Sequence, residues 1–209
     1  MTERANKLSF EAKIPSTTEL EGRFSFIEDA TLRLNVAISF QYIIFLIALL
    51  DELEAENTTI SSSIHKDMIV QTATIVESCT HHCLKKYIEA EKVKSSDVMP
   101  TDWETKDHKE IYKISEDERI CGAIRYKKTE HLTDRTQSIV VNRAAQKAGI
   151  LSETLFAKAE KLRELRNKIH LAGLQAVDGS YEKSDSQGAF DIATAVIENI
   201  EKKLAQLKT

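Results

Sequence analysis

The strongest constraint on the fold is a helical rhythm that starts near Phe24 and holds to about Ala55. Phe26, Leu34, Ile38, Tyr42, Phe45, Leu49 and Leu53 recur at spacings of three and four or their sums, which predicts one long core-facing helix. A polar turn, Glu56–Ser63, follows. A second helix is then expected from about Ile64 to Lys92, with Met68, Ile75, Cys79, Cys83 and Tyr87 near one face. Two long helices joined by a short turn are expected to pack antiparallel. The most apolar stretch, Val36 to Leu50, spans 15 residues, includes Ser39 and Gln41 and is closed by Asp51 and Glu52. That is short for a bilayer crossing, so it is read as a buried helix and no membrane partner is expected.

With 209 residues, 42% of them apolar and 30% charged, and with six Gly and only two Pro, the chain has the composition of a folded helical protein. The first 22 residues hold Pro15, Gly22 and the run Ser16-Thr17-Thr18 without a sustained period, and are expected to form a loosely ordered N-terminal arm. Residues 23–209 are expected to form a single helical domain. Residues 93–132 would be a linker and hairpin insertion, because Ile111–Ile114 and Ile120–Tyr126 flank the acidic turn Ser115-Glu116-Asp117-Glu118. Ile120, Gly122, Ile124 and Tyr126 alternate there with Arg119, Cys121, Ala123 and Arg125, the period of a β-strand. Thr133 or Asp134 is expected to cap a third helix running to Lys147 and ended by Gly149, and Ser152 to cap a fourth from Glu153 to about Leu171. After the polar loop Ala172–Gln187, a final helix would carry Phe190, Ala193, Ile197, Ile200, Leu204 and Leu207. The fold class is therefore mostly α: a helical bundle with long antiparallel helices and a small β-hairpin insertion.

A net charge of −4 and a pI near 5.9 argue against coating of nucleic acid or acidic membrane through bulk charge, so any polyanion site must be focal. The three cysteines are odd in number, and Met1–Lys13 carries no apolar core of signal-peptide length. A reducing, cytoplasmic setting is expected. The sequence has no Gly-rich phosphate loop, nucleophile elbow or paired-carboxylate motif. ATP-dependent and acyl-transfer chemistry are disfavoured, and neither cofactor nor metal is expected.

The fourth helix carries the best candidate chemistry. Leu155, Ala159, Leu162, Leu165 and Ile169 form its apolar stripe. At 100° per residue, Arg163 and His170 lie about 20° apart and Arg166 about 40° from His170. Arg166 projects close to the apolar stripe, where a guanidinium needs a carboxylate or a phosphate. Arginine presents a planar fork of donors to phosphate oxygens, and histidine exchanges a proton near neutral pH. Together they suit RNA: the imidazole would assist attack by a ribose 2′-hydroxyl, and an arginine would stabilise the developing phosphoryl charge. Arg163, Arg166 and His170 are the candidate catalytic residues, with Asn167 and Lys168 binding substrate. The alternative is a non-catalytic helical interaction or dimerisation module. In it the last-turn cations offset the macrodipole and Arg166 pairs with a buried carboxylate such as Glu77.

The run Leu162-Arg-Glu-Leu-Arg-Asn-Lys-Ile-His-Leu171, preceded by Ala148-Gly-Ile-Leu151, resembles the signature helix of the HEPN superfamily. Ile69-Val-Gln-Thr-Ala-Thr-Ile-Val-Glu77 is similar to the helix beside it in those proteins, and a closing amphipathic helix is similar too. Arg163 precedes His170 with six residues between them, while Arg166-Asn167 supplies the arginine-polar dipeptide. The resemblance implies a helical bundle acting as a homodimer that brings Arg/His pairs to one cleft. It also implies a metal-independent endoribonuclease or RNA-binding effector of toxin–antitoxin or phage-defence type, with an antitoxin or regulatory protein as a further partner.

Other groupings carry weaker signals. Cys79-Thr-His-His-Cys83 places side chains four apart on a helix, but helical cysteines without a second cluster are more often core residues than metal ligands. His65, His108 and His131 are expected at the surface or at caps. Trp103, Tyr112 and Tyr126 with Arg119, Arg125, Lys127 and Lys128 would be compatible with a base-stacking surface on the hairpin.

Overall fold

A computed structural model describes residues 14–53, 59–167 and 181–208. Along them run α1 (Thr17–Arg23), α2 (Ala30–Leu53), α3 (Thr59–Glu89), α4 (Ser95–Val98), β1 (Thr101–Lys113), β2 (Arg119–Thr129), α5 (Ser138–Lys147), α6 (Glu153–Asn167) and α7 (Lys183–Ala205). The fold is mostly α with a two-stranded antiparallel hairpin, as the periodicities predict.

Helix α3 is the hub. Helices α2, α5, α6 and α7 all pack against it, and Ile69, Ala73, Val76, Cys79, Cys83 and Leu84 are buried along its length. Each fully buried aliphatic side chain such as Ile69 or Leu84 contributes about 1.5–3 kcal/mol through loss of water contact. Met68, Ile75, Cys79, Cys83 and Tyr87, expected on the core face, are all buried.

Local chemistry sets several boundaries. Ser16 and Glu19 form a capping box, with Ser16 N–H donating to Glu19 Oε2 at 2.8 Å and Glu19 N–H donating to Ser16 Oγ at 3.3 Å. Residues 17–22, expected to belong to a loose arm, are therefore helical together with Arg23, and Leu20 is buried. Gln41 ties this helix to α2 by donating to the Pro15 carbonyl at 2.9 Å and accepting from Thr17 Oγ1 at 3.0 Å. Asp29 Oδ1 accepts from Leu32 N–H at 3.0 Å and starts α2. Gly149, at φ +69°, ends α5 as expected. Its own N–H donates to Gln146 and that of Ile150 to Ala145, each at 2.9 Å, the two bonds of a Schellman motif. Ser152 Oγ accepts from Leu155 N–H at 3.2 Å and caps α6. Helix α5, however, begins at Ser138 with Gln137 at its cap, because Thr133 turns back on Thr136 instead, its N–H donating to Thr136 Oγ1 at 2.9 Å.

The stripe expected to face the core from α2 does so only in part: Phe26, Phe45 and Leu49 pack against the core half-buried, and the middle of the stripe faces solvent. Val36, Ala37, Ile43 and Leu46 are buried, whereas Leu34, Ile38 and Tyr42 are 40%, 47% and 40% exposed. A helix apolar on nearly every side satisfies the three-four spacing along more than one line, so periodicity selected a stripe but not its direction. The expectation of a buried helix is corrected in the same way. By length and composition Ala30–Glu52 is long and apolar enough to cross a membrane, and 22% of its most apolar window is buried.

The hairpin is longer than the sequence suggests. Thr101 pairs with Thr129 and Lys113 with Arg119, with irregularities between Thr105 and Asp107 and between Glu110 and Tyr112. Nearly every residue of both strands is exposed, so alternation here does not report a half-buried sheet. The two faces differ. Trp103, Arg119, Arg125 and Lys127 lie on one, while Tyr112, Ile120, Ile124 and Tyr126 lie on the other with Gly122. Ile111 leans over Gly122 so closely that a Cβ there would sit 2.8 Å from its Cδ1.

Candidate functional site

Helices α3, α5 and α6 and the N-terminal end of α2 enclose a cleft of about 640 Å³. Its walls include Asp29, Glu77, His81, His82, Lys85, Asp134, Val141, Arg163, Arg166 and Asn167. The apolar stripe of α6 explains why this helix presents its cations here. Ala159 and Leu162 are buried, Leu155 and Leu165 partly so, and Arg163 and Arg166, each four residues beyond a buried member of the stripe, flank it at the opening.

Arg166 is ion-paired with Glu77 of α3 through its NH1, and the two side chains are 32% and 20% exposed. The carboxylate expected to meet that guanidinium is the one found there. Glu77 Oε1 is buried and has no hydrogen-bond partner among the described residues.

Arg163 is held by a second carboxylate. Its Nε donates to Glu160 Oε2 at 2.9 Å and its NH2 lies 2.9 Å from the same oxygen. The other oxygen, Oε1, accepts from Asn142 Nδ2 at 2.7 Å, and Asn142 is 2% exposed. This chain of bonds pins α5 to α6 and fixes the plane of the guanidinium. Neither Glu160 nor Asn142 was singled out by the sequence. An acid three residues before Arg163 is the one available signal for Glu160; nothing marks Asn142.

His81 and His82 are the larger omission. They sit inside the Cys79–Cys83 run, whose spacing points first to the cysteines. Both cysteines are buried in the core, and burial pushes each thiol up to about 12, so neither supplies a thiolate at neutral pH. Among the described residues no group of three or more His, Cys, Asp or Glu is arranged to hold a metal ion.

The histidines turn toward the cleft. His81 Nε2 donates to the Thr133 carbonyl at 3.0 Å. His82 is 4% exposed, and its Nε2 has no partner among the described residues. Burial lowers its pKa; Lys86 lowers it further, while Asp29, Glu28 and Glu89 act in the opposite sense. The ring is therefore neutral at pH 7.

Arg163, Arg166 and Asn167 thus share one cleft. Lys168 and His170 lie outside the described residues, as does the expected helical continuation to Leu171. His65, expected at the surface, is instead buried. Ser186 Oγ, which donates to the Lys183 carbonyl at 3.0 Å, lies 3.0 Å from His65 Nδ1 and accepts that nitrogen's proton. Among known proteins, no family model, no curated protein and no solved structure matches this chain.

Proposed function

We propose that this chain is a homodimeric RNA-directed effector of HEPN type and that the cleft between α3, α5 and α6 receives the ribose–phosphate chain. The observation that carries this reading is the convergence of Arg163, Arg166 and Asn167 with His81 and His82 on one polar opening. In it, Arg163 and Arg166 orient a phosphate with the guanidinium N–H groups their carboxylate partners leave over, since each guanidinium has five donors. His170 handles the proton of the attacking 2′-hydroxyl, and Asn167 and Lys168 hold the flanking backbone. The reaction is a metal-independent transesterification. The bond from 2′-oxygen to phosphorus forms, the 5′-oxygen departs, and one proton is removed and one returned. An antitoxin or other regulatory protein would restrain such an enzyme, and a cytoplasmic setting fits it.

A second reading has its own support. Both arginines already face carboxylates, which offsets the positive charge a polyanion would seek. A non-catalytic helical interaction module needs nothing more from these residues than to lock α6 onto α3 and α5. Cleavage of structured and unstructured RNA by the wild type, His170→Ala and Arg163→Ala proteins separates the two. Under the first reading each variant loses at least about 100-fold in rate while remaining folded. Equal rates in all three, with Arg166→Ala lowering only the melting temperature, would leave the interaction module.

A further inference from the structure

Two surfaces of this chain hold large apolar side chains that face solvent. The first is the outer line of α2, where Leu34, Ile38 and Tyr42 are 40–47% exposed within residues 34–50, a stretch that holds no charged residue. The second is one face of the hairpin, where Ile111, Tyr112, Ile120, Ile124 and Tyr126 are 44–67% exposed, beside Glu104, Asp107 and Lys109 at the register positions opposite Tyr126, Ile124 and Gly122. The hairpin's packing is between its own strands rather than against the helices. A lone two-stranded ribbon is marginal in water unless its apolar face is covered, and open apolar patches of this kind mark contact surfaces.

We infer that the large apolar side chains on the Ile120–Ile124–Tyr126 face of the hairpin dock on the outer line of α2 in a second copy of this chain, with Glu104, Asp107 and Lys109 along the rim, and that a twofold axis makes the exchange reciprocal. The dimensions agree. Leu34 to Leu49 covers about 22 Å of helix, and Ile120 to Tyr126 about 20 Å of strand. The ribbon offers roughly 600 Å² of apolar surface and the helix roughly 300 Å², at 150–250 Å² for a large side chain. Two such contacts bury on the order of 1,200–1,800 Å² in total, the range of a specific interface, and reciprocity closes the assembly at two copies. The opposite face of the ribbon, with Arg119, Arg125 and Lys127, stays in water. An anionic bilayer is the poorer occupant for α2, because its last turn carries Asp51 and Glu52 and no cation.

This inference rests on the homodimer part of the reading above and gives it a surface; it stands apart from cleavage. The test is sedimentation of wild type, Ile38→Asp and Ile124→Asp at graded concentrations, with far-UV circular dichroism to establish that each variant keeps its helices. Both positions are solvent-facing, so the carboxylate disturbs the interface rather than the core. The wild type is expected to be a dimer, and each variant to associate at least about 100-fold more weakly. An equimolar mixture of the two variants recovers part of the association, because one of its two contacts is intact. A wild type that stays monomeric overturns the inference together with the homodimer. A dimer lost in only one variant, or a mixture that recovers nothing, overturns the inference alone, as self-pairing of helices or of ribbons would then hold the dimer. A monomer that sediments with phosphatidylcholine–phosphatidylglycerol vesicles also overturns it.

Discussion

The cleft and the hairpin are built from the same residue types and put them to opposite use. At the cleft, Arg163 and Arg166 face carboxylates with side-chain exposures between 13% and 32%. On the hairpin, Arg119 and Lys128 face Glu110 and Glu104 at 45–57% exposure. Solvent decides what each pair does. Where water is scarce, a carboxylate fixes a guanidinium in place, and removing one partner strands the other; where water is plentiful, each charge is nearly as well off alone. The cleft pairs are therefore held in place by their surroundings, whereas the hairpin pairs are solvated.

The cysteines give the largest contrast. Cys79 and Cys83 lie in the α3 core with thiols pushed up to about 12, while Cys121 is exposed on the ribbon. At pH 8 a thiol of that pKa is ionised about once in 10⁴ molecules, and access is blocked as well. Native protein is expected to titrate with an aromatic disulfide reagent at one thiol per chain, the other two reacting at least about 1,000-fold more slowly unless denaturant is added. Three equivalents at one rate would mean that the core beneath the cleft opens readily, and the contrast between the regions would be lost.

The ion pairs come next. Arg166→Ala leaves Glu77, whose Oε1 is buried, without its cation. It should cost about 2 kcal/mol, below the 3–5 of a fully buried pair because the guanidinium is a third exposed. Arg119→Ala on the hairpin should cost less than about 0.5 kcal/mol. Urea unfolding of both variants, with Glu77→Ala and the double variant completing a cycle, measures the coupling directly. Equal costs at the two sites would show that the cleft pair is as well solvated as the hairpin pair.

Much of this division was readable in the sequence. The long helices, the hairpin, the Gly149 stop and the need of Arg166 for a carboxylate all follow from local chemistry or from a single helical face. Glu77 was nameable because an isolated carboxylate on an apolar helix near its expected neighbour has few alternatives. What stayed hidden depends on three-dimensional placement. The direction of the α2 stripe was lost because that helix is apolar all round. Asn142 was lost because a buried amide looks like any polar residue on an amphipathic helix, and His82 because adjacent cysteines suggested a metal. A strand's alternation says that two faces differ, yet it cannot say that neither is covered by its own chain.

The smallest effect is a pH dependence that belongs to the cleft. His82 is buried with a pKa below the ordinary imidazole value of 6.5, chiefly through loss of water, with Lys86 adding to the shift and Asp29, Glu28 and Glu89 opposing it. Above about pH 6.5 the ring is neutral in both folded and unfolded chains and contributes no slope. As the pH falls through 6.5 the unfolded chain takes up a proton that the folded chain refuses, so stability declines until the pH passes below the folded pKa. His65, also lowered by burial, acts in the same direction. The carboxylates of Glu28 and Asp29, whose pKa values are lowered by Lys208 and by the Leu32 amide respectively, lose their contributions only nearer pH 4. The interval from about 6.5 to 5 is thus the histidines' own. Melting temperature measured across it should fall for the wild type and fall less for His82→Asn, with His65 supplying the slope that remains. An identical slope in that variant would mean that His82 meets its proton equally in both states, and that the wall of the cleft is wetter than its burial implies.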